Sequence, residues 1–233
     1  AKGMPPRTIR YGMGAVKGTG QAAVEEILRV RQEAPFTSLS DFCQRVDRHT
    51  VNRRSVEALI RAGAFDQIEP NRAALIHSLG TALEAAEQFS RSANQVSLFG
   101  DDSHEVVATE LSQCPPWDLR VRLTEEKVAL GYFFSGHLFD AWREEVRHFV
   151  SKPLSRIEPS RDPQWVAGVI AGTRTMMGRR GKMLFVILDD GTAQVEVAVY
   201  AELIDQHRNR LRDDQLLILQ VKAVSYTHLT LPT

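Results

Sequence analysis

The spacing of apolar residues changes along these 233 residues, from a predominantly helical period near 3.6 to a predominant period of two from Trp165, and no single layer of secondary structure accommodates both. In GQAAVEEILRVRQEA, Ala23, Ile27, Val30 and Ala34 share one helical face, and Pro35 ends the run. Leu39, Phe42 and Val46 predict a second helix with Ser38 or Ser40 as its N-cap. Asn52 to Gly63 predicts a third, with Val56, Leu59 and Ile60 inward, and a fourth opens at Asn71 with Leu75, Leu79, Leu83 and Ala86 as its seam. Residues 90–116 lose all periodicity and are rich in Ser, Asn and Asp, the composition of a linker. Helical spacing returns in WDLRVRLTEEKVALG and in AWREEVRHFV, where Trp142, Val146 and Phe149 share a face.

From Trp165 the chain alternates. WVAGVIAGTRT, MLFVILD, TAQVEVAVY and QLLILQVKAV are rich in β-branched residues. They are separated by GRRGK, by the turn pair Asp190-Gly191 and by the helical run AELIDQHRNRLR. Three strands in a meander, a helix and a further strand follow the chain order of an OB barrel, with no evident fifth strand. The expected fold class is therefore α+β and multidomain. A helix-hairpin-helix α-helical module takes residues 1–90, a flexible linker 91–116, a helical bridge 117–160, an incomplete OB-fold β-barrel 161–224 and an unrelated tail 225–233.

Composition excludes several classes. Hydrophobic residues make up 43% and charged ones 25%, which rules out a collagenous or wholly disordered chain. No run approaches the roughly 18 apolar residues that cross a bilayer, and the first ten residues lack a secretory apolar stretch. A cytoplasmic protein with no membrane partner is expected. Cys43 and Cys114 form no CxxC pattern, so neither a disulfide framework nor a cysteine-based zinc site is expected. Net charge is zero, yet residues 1–72 carry 12 basic and 8 acidic side chains, 73–150 carry 6 and 12, and 151–233 carry 11 and 9. Two mildly basic ends thus flank an acidic middle. The missing initiator Met and the abrupt end at LTLPT suggest a piece of a longer protein.

Among short motifs, GMGAVKG lacks the preceding buried strand and later acidic residue of a dinucleotide fold, and Lys17 precedes Gly18 where a P-loop needs the reverse. A helix-hairpin-helix fits better. Lys17, Gly18, Thr19 and Gly20 open a helix, where glycines allow a sharp turn and the first N–H groups can meet a phosphate. The alternative is an ordinary helical turn that touches nothing. VNRRSVEALIRAGAF reads as a second, degenerate hairpin whose Arg53 and Arg54 can face a phosphate. Gln95, Val96, Ser97, Leu98 and Phe99 form an apolar island in the acidic linker, either a peptide anchor for a partner's pocket or a segment folded back on a neighbouring helix. Arg174, Arg179, Arg180 and Lys182 surround the first barrel hairpin and could track a nucleic-acid backbone, with only Trp165, Phe185 and Tyr200 available for stacking. A solvated basic hairpin is the alternative. Asp189, Asp190 and Gly191 read as a strand end and turn, and His137 has no evident partner. No catalytic residue, metal site or cofactor is assigned.

Six blocks in order, IRYGMGAVKGTGQAAVEEI, PFTSLSDFCQRVD, VNRRSVEALIRAGAFD, QVSLFG, EEKVALGYFFSGHLFD and VAGVIAGTRTMMGRRGKMLFVILDDGTAQVEVAVY, resemble the C-terminal half of the alpha subunits of bacterial DNA polymerase III, a family C of replicative polymerases. The resemblance spans about residues 7–224. It implies a parent that is a DNA-directed DNA polymerase using Mg2+ in a palm domain upstream, so that this stretch is non-catalytic. It further implies primed double-stranded DNA at Lys17, Gly18, Thr19 and Gly20, and a sliding clamp at Gln95 to Phe99, where Val96 stands in place of a frequent Leu. Single-stranded template would meet Arg174, Arg179, Arg180 and Lys182. Other polymerase III holoenzyme subunits are implied partners. The tail SYTHLTLPT resembles no family segment and is expected to be poorly ordered from Tyr226, although Thr227, Leu229 and Leu231 alternate like a short closing strand. Alternative functions are an OB-fold RNA-binding module of the aminoacyl-tRNA synthetase type, which would carry no preceding helix-hairpin-helix, and a non-catalytic clamp-binding scaffold.

Overall fold

A computed structural model describes residues 11–96, 110–178, 181–225 and 228–230. The chain divides into two compact units, residues 1–134 and 135–233, each with its own apolar core.

The first unit is helical. Helix α1 (Gln21–Glu33) buries Ala23, Ile27 and Val30, while Ala34, expected on the same face, is the exposed C-cap where the backbone turns extended ahead of Pro35. Helix α2 (Leu39–Arg45) starts at Ser38, whose hydroxyl accepts the Asp41 N–H, which settles the choice between the two candidate caps. Helix α3 (Arg53–Arg61) is capped by Asn52 through the Ser55 N–H and buries Val56, Leu59 and Ile60. Helix α4 (Arg72–Val96) packs against α2 and α3 through Leu75, Leu79 and Ala86. It runs six residues past the point where the sequence predicts a linker. Residues 110–117 return to the same unit: Leu111 packs on its core, the Ser112 N–H donates to Ser78 Oγ, and Asn71 Nδ2 donates to the Cys114 carbonyl. Helix α5 (Leu119–Leu130) is capped by Asp118 and packs on α3. The residues expected to form a bridge are therefore divided between the units.

A buried ion pair fastens α5. Glu126 is fully buried on α5, and its Oε1 lies 2.9 Å from Arg72 Nη1 on α4. Arg72 also donates to both Asp66 carboxylate oxygens, at 2.7 and 2.6 Å, and to the Arg61 carbonyl. Burial opposes the Arg72 charge, but Asp66 and Glu126 outweigh it and raise the guanidinium above its ordinary value.

In the second unit, helix α6 (Arg143–Val146) is a single turn after a 3-10 turn at Leu138–Ala141, shorter than the helix expected from AWREEVRHFV. Val146 faces inward, but Phe149 is exposed. Strands β1 (Gln164–Gly178), β2 (Gly181–Asp189), β3 (Gln194–Tyr200) and β4 (Leu216–Ser225) form an antiparallel sheet, with helix α7 (Ala201–His207) between β3 and β4. This is an OB-like arrangement, as the period-two runs predict. Gln164 to Val169 of β1 pair with β4, pairing with β2 begins at Val169, and a register shift between Ile170 and Gly172 bends the strand so that it serves both. Val166, Ile170, Val186, Leu188, Val197 and Val221 fill the interior.

A fifth strand, not evident in the sequence, is present. Strand β5 (His228–Thr230), from the tail expected to be poorly ordered, runs parallel to β3 and antiparallel to β4 and closes the sheet in the order β1-β2-β3-β5-β4. The barrel is incomplete only in extent: three residues fill the lane between neighbours of seven and ten. Among the described residues, no helix is long and apolar enough to cross a membrane.

Candidate nucleic-acid interface

The glycine-rich turn before α1 is built as the hairpin chemistry requires. Gly18 adopts φ +87°, a conformation that a side chain would strain. Gly20 is the N-cap of α1 in extended backbone and offers no side chain, so no cap side chain occupies the first-turn N–H groups. Lys17 is exposed, and its backbone N–H donates to the Ala129 carbonyl of α5 at 2.7 Å. Thr19 is buried, and its hydroxyl has no hydrogen-bond partner among the described residues.

The second candidate pair stands beside the first. Ser55 Oγ, in the opening turn of α3, donates to the Gly18 carbonyl at 3.1 Å, so Lys17 to Gly20 and Arg53 with Arg54 are brought to one side of the helical unit. The two helix starts are not equivalent, because Asn52 occupies its own first turn. Arg53 Nε pairs with Glu57 at 2.9 Å along the helix, and Arg54 is exposed. The arrangement can bind an anion at the uncapped start of α1, with Lys17 and Arg54 adding positive charge.

On the barrel the predicted cations separate. Arg174 on β1 forms a two-pronged bond to Glu196 on β3, at 2.6 and 2.8 Å, and its guanidinium lies 4.4 Å from the centroid of Phe185 on β2. Glu196 raises the Arg174 pKa. Arg174 is therefore engaged, and it covers the Phe185 ring that sequence offered for stacking. Lys182 is exposed near the β1–β2 turn, opposite Met177 in register. Arg179 and Arg180 lie outside the described residues. Trp165 remains exposed on β1.

The five-residue apolar island is only partly described. The backbone of Gln95 and Val96 is the last turn of α4, and Ser97, Leu98 and Phe99 lie outside the described residues. Asp189 and Asp190 end β2 and open the turn to β3, as read from sequence. Asp189 Oδ1 lies 3.1 Å from His137 Nε2 and its Oδ2 accepts from Gln194, while Asp190 accepts from Leu154, Thr192 and Ala193. Cys43 is a buried free thiol whose pKa is pushed up to about 12 by desolvation, so it is an inert core residue.

Sequence reasoning missed an exposed aromatic cluster on the helical unit. Tyr11 lies 5.5 Å from Tyr132 and 6.5 Å from Phe134, centroid to centroid, and Tyr132 and Phe134 are 6.4 Å apart. Desolvation, and then a hydrogen bond with Tyr11, holds the Tyr132 phenol above its ordinary value. The available signal was the run YFF directly after the helix stop Gly131, aromatic residues in a turn with no seam to join. The His137–Asp189 pair was also missed, since its members belong to segments far apart in sequence.

Comparison with known proteins accords with the hairpin. A family model described as "Helix-hairpin-helix motif" matches residues 3–75. The chain is 43% identical over 219 residues to the DNA polymerase III subunit alpha of Neisseria meningitidis serogroup A, covering 94% of this chain and 19% of the relative. The protein of the same name from Pseudomonas aeruginosa is 37% identical over 91% of this chain and 20% of the relative. That of Escherichia coli O157:H7 is 34% identical over 91% of this chain and 19% of the relative. The chain thus spans about a fifth of the length of the curated relatives it matches.

Proposed function

The chain is a homologue of the DNA polymerase III alpha subunits, matched to their C-terminal region, and from that premise we propose that it is the part of such a polymerase that holds DNA and the sliding clamp. The observation that carries this reading is the hairpin at Lys17 to Gly20, an uncapped helix start with Arg53 and Arg54 beside it. Such a site grips phosphate without reading bases, as a polymerase that must move along any sequence requires. Gln95 to Phe99, a segment whose first two residues belong to the last turn of α4, would add a peptide contact to the clamp. Two weak tethers on one chain raise each other's effective concentration, so the pair outlasts either alone. Lys182, Arg179 and Arg180 would meet the single-stranded template, and Arg174 would do so only by leaving Glu196.

The parent would be a DNA-directed DNA polymerase of the cytoplasm, working with other holoenzyme subunits. The Mg2+ of that chemistry does not fit the residues described here. Among them no group of three or more His, Cys, Asp or Glu could hold a metal, and the Asp189 and Asp190 carboxylates are engaged by His137 and by backbone and side-chain donors. On this reading, bond-forming chemistry would belong to the rest of the parent.

A salt titration of primed-duplex binding tests the DNA half. Affinity should fall steeply with salt, and Lys17→Ala with Arg54→Ala should lower the log-log slope by roughly one per lost phosphate contact. Arg179→Ala with Arg180→Ala should do the same for single-stranded template. A salt-independent affinity would sink the reading. For the clamp half, Leu98→Ala with Phe99→Ala should abolish clamp binding in a titration and leave DNA affinity intact. Unchanged clamp affinity would remove that assignment.

A further inference from the structure

We propose that Tyr11, Tyr132 and Phe134 form a stacking platform for unpaired nucleobases, set beside the phosphate-binding hairpin. This rests on the DNA reading above and adds the form of nucleic acid the helical unit prefers.

Three observations carry it. The rings touch one another and yet stay in solvent, with Tyr11, Tyr132 and Phe134 exposed by 43%, 39% and 53%. A helical unit with a filled core has no packing need for them outside. The turn that carries two of them is held rigid from beneath. Gly131 stops α5 at φ +93°, its N–H donating to the Lys127 carbonyl, and the Phe134 N–H donates at 2.9 Å to Oε2 of the buried Glu126. Glu126 is in turn fixed by Arg72, so a buried ion pair orients an exposed aromatic turn. The platform is also continuous with the hairpin: Lys17 bonds through its backbone to Ala129, and its ammonium lies 3.0 Å from where a Gly131 side chain would begin.

Aromatic faces beside a cation suit a single strand. Each base offers a π-face to a ring, and the ammonium meets the adjoining phosphate. An aliphatic protein partner would use the rings but leave the Lys17 charge unanswered. Within a duplex the base faces are already stacked, so the rings contribute only where bases are unpaired. The hairpin alone serves both forms.

The experiment compares the full chain binding a blunt DNA duplex with the same duplex carrying a short oligo-dT extension. The extension should tighten binding. Tyr132→Ala with Phe134→Ala should remove that gain, a loss of roughly tenfold on the extended DNA, and leave the blunt duplex unchanged. Lys17→Ala should weaken both. Tyr132→Phe keeps the ring and should retain the gain, whereas Phe134→Leu keeps apolar bulk without a π-face and should lose part of it. These two variants decide the matter if the alanine pair melts abnormally by circular dichroism. Equal losses on both DNAs, or none, would overturn the platform and make the rings a protein-docking face. Duplex binding with no effect of the extension overturns this inference alone, while failure to bind either DNA also overturns the reading beneath it.

Discussion

Asp190 is an acidic side chain whose work is structural. It is buried at the end of β2, where Oδ2 accepts the Leu154 N–H at 2.8 Å and Oδ1 accepts from the Thr192 N–H, the Thr192 hydroxyl and the Ala193 N–H. Burial opposes its charge, but these donors outweigh desolvation and hold its pKa below the ordinary carboxylate value. A depressed folded pKa means that the stabilisation is present above the unfolded value of about 3.9 and is lost as pH falls through the folded one. Asp190→Asn should lower barrel stability at neutral pH by about 1–3 kcal/mol, since one oxygen cannot replace two. It should also flatten the decline in stability below about pH 4. Thermal melts of both proteins across acidic pH check this, and parallel profiles would refute it. On the helical unit, the Glu126 carboxylate is likewise structural, joining Arg72 to the Phe134 turn.

Legibility differed from element to element for physical reasons. Helix α3 could be read with its cap and its inward residues because a short amphipathic helix bounded by Asn52 and Gly63 carries its signals locally. The barrel strands were equally legible, since their alternation reflects one buried face. Helix α4 overran its expected end because extending a formed helix costs far less than starting one, and Arg91 pairs with Glu87 one turn back. Residues 110–117 looked like linker because their contacts with Ser78 and Asn71 are tertiary and leave no periodic trace. In AWREEVRHFV the spacing was sound, but only Val146 found a core and the helix stopped after one turn. The hairpin at Lys17 to Gly20 was legible because the turn demands Gly18. The aromatic platform was not, because Tyr11 meets Tyr132 and Phe134 only after folding.

For the whole molecule, two cores in one chain imply two separable stabilities. The helical unit is closed on itself by α5 and by residues 110–117, whereas the barrel depends on three residues at its end. Without β5, Glu196 to Ala198 of β3 and Lys222 to Ser225 of β4 would become facing open edges over the interior that Val197 and Ala223 line. Removing residues 226–233 should therefore lower the barrel's stability by a few kcal/mol, on the order of one per lost hydrogen bond. Calorimetry should record that loss as a fall in one transition, with the helical unit's transition unmoved. The truncated chain should still bind a blunt duplex with the same salt dependence, since the hairpin and α3 belong to the other core. A barrel transition indifferent to the deletion would mean that β5 adds nothing to the sheet. A joint fall of both transitions would mean that the two cores unfold as one.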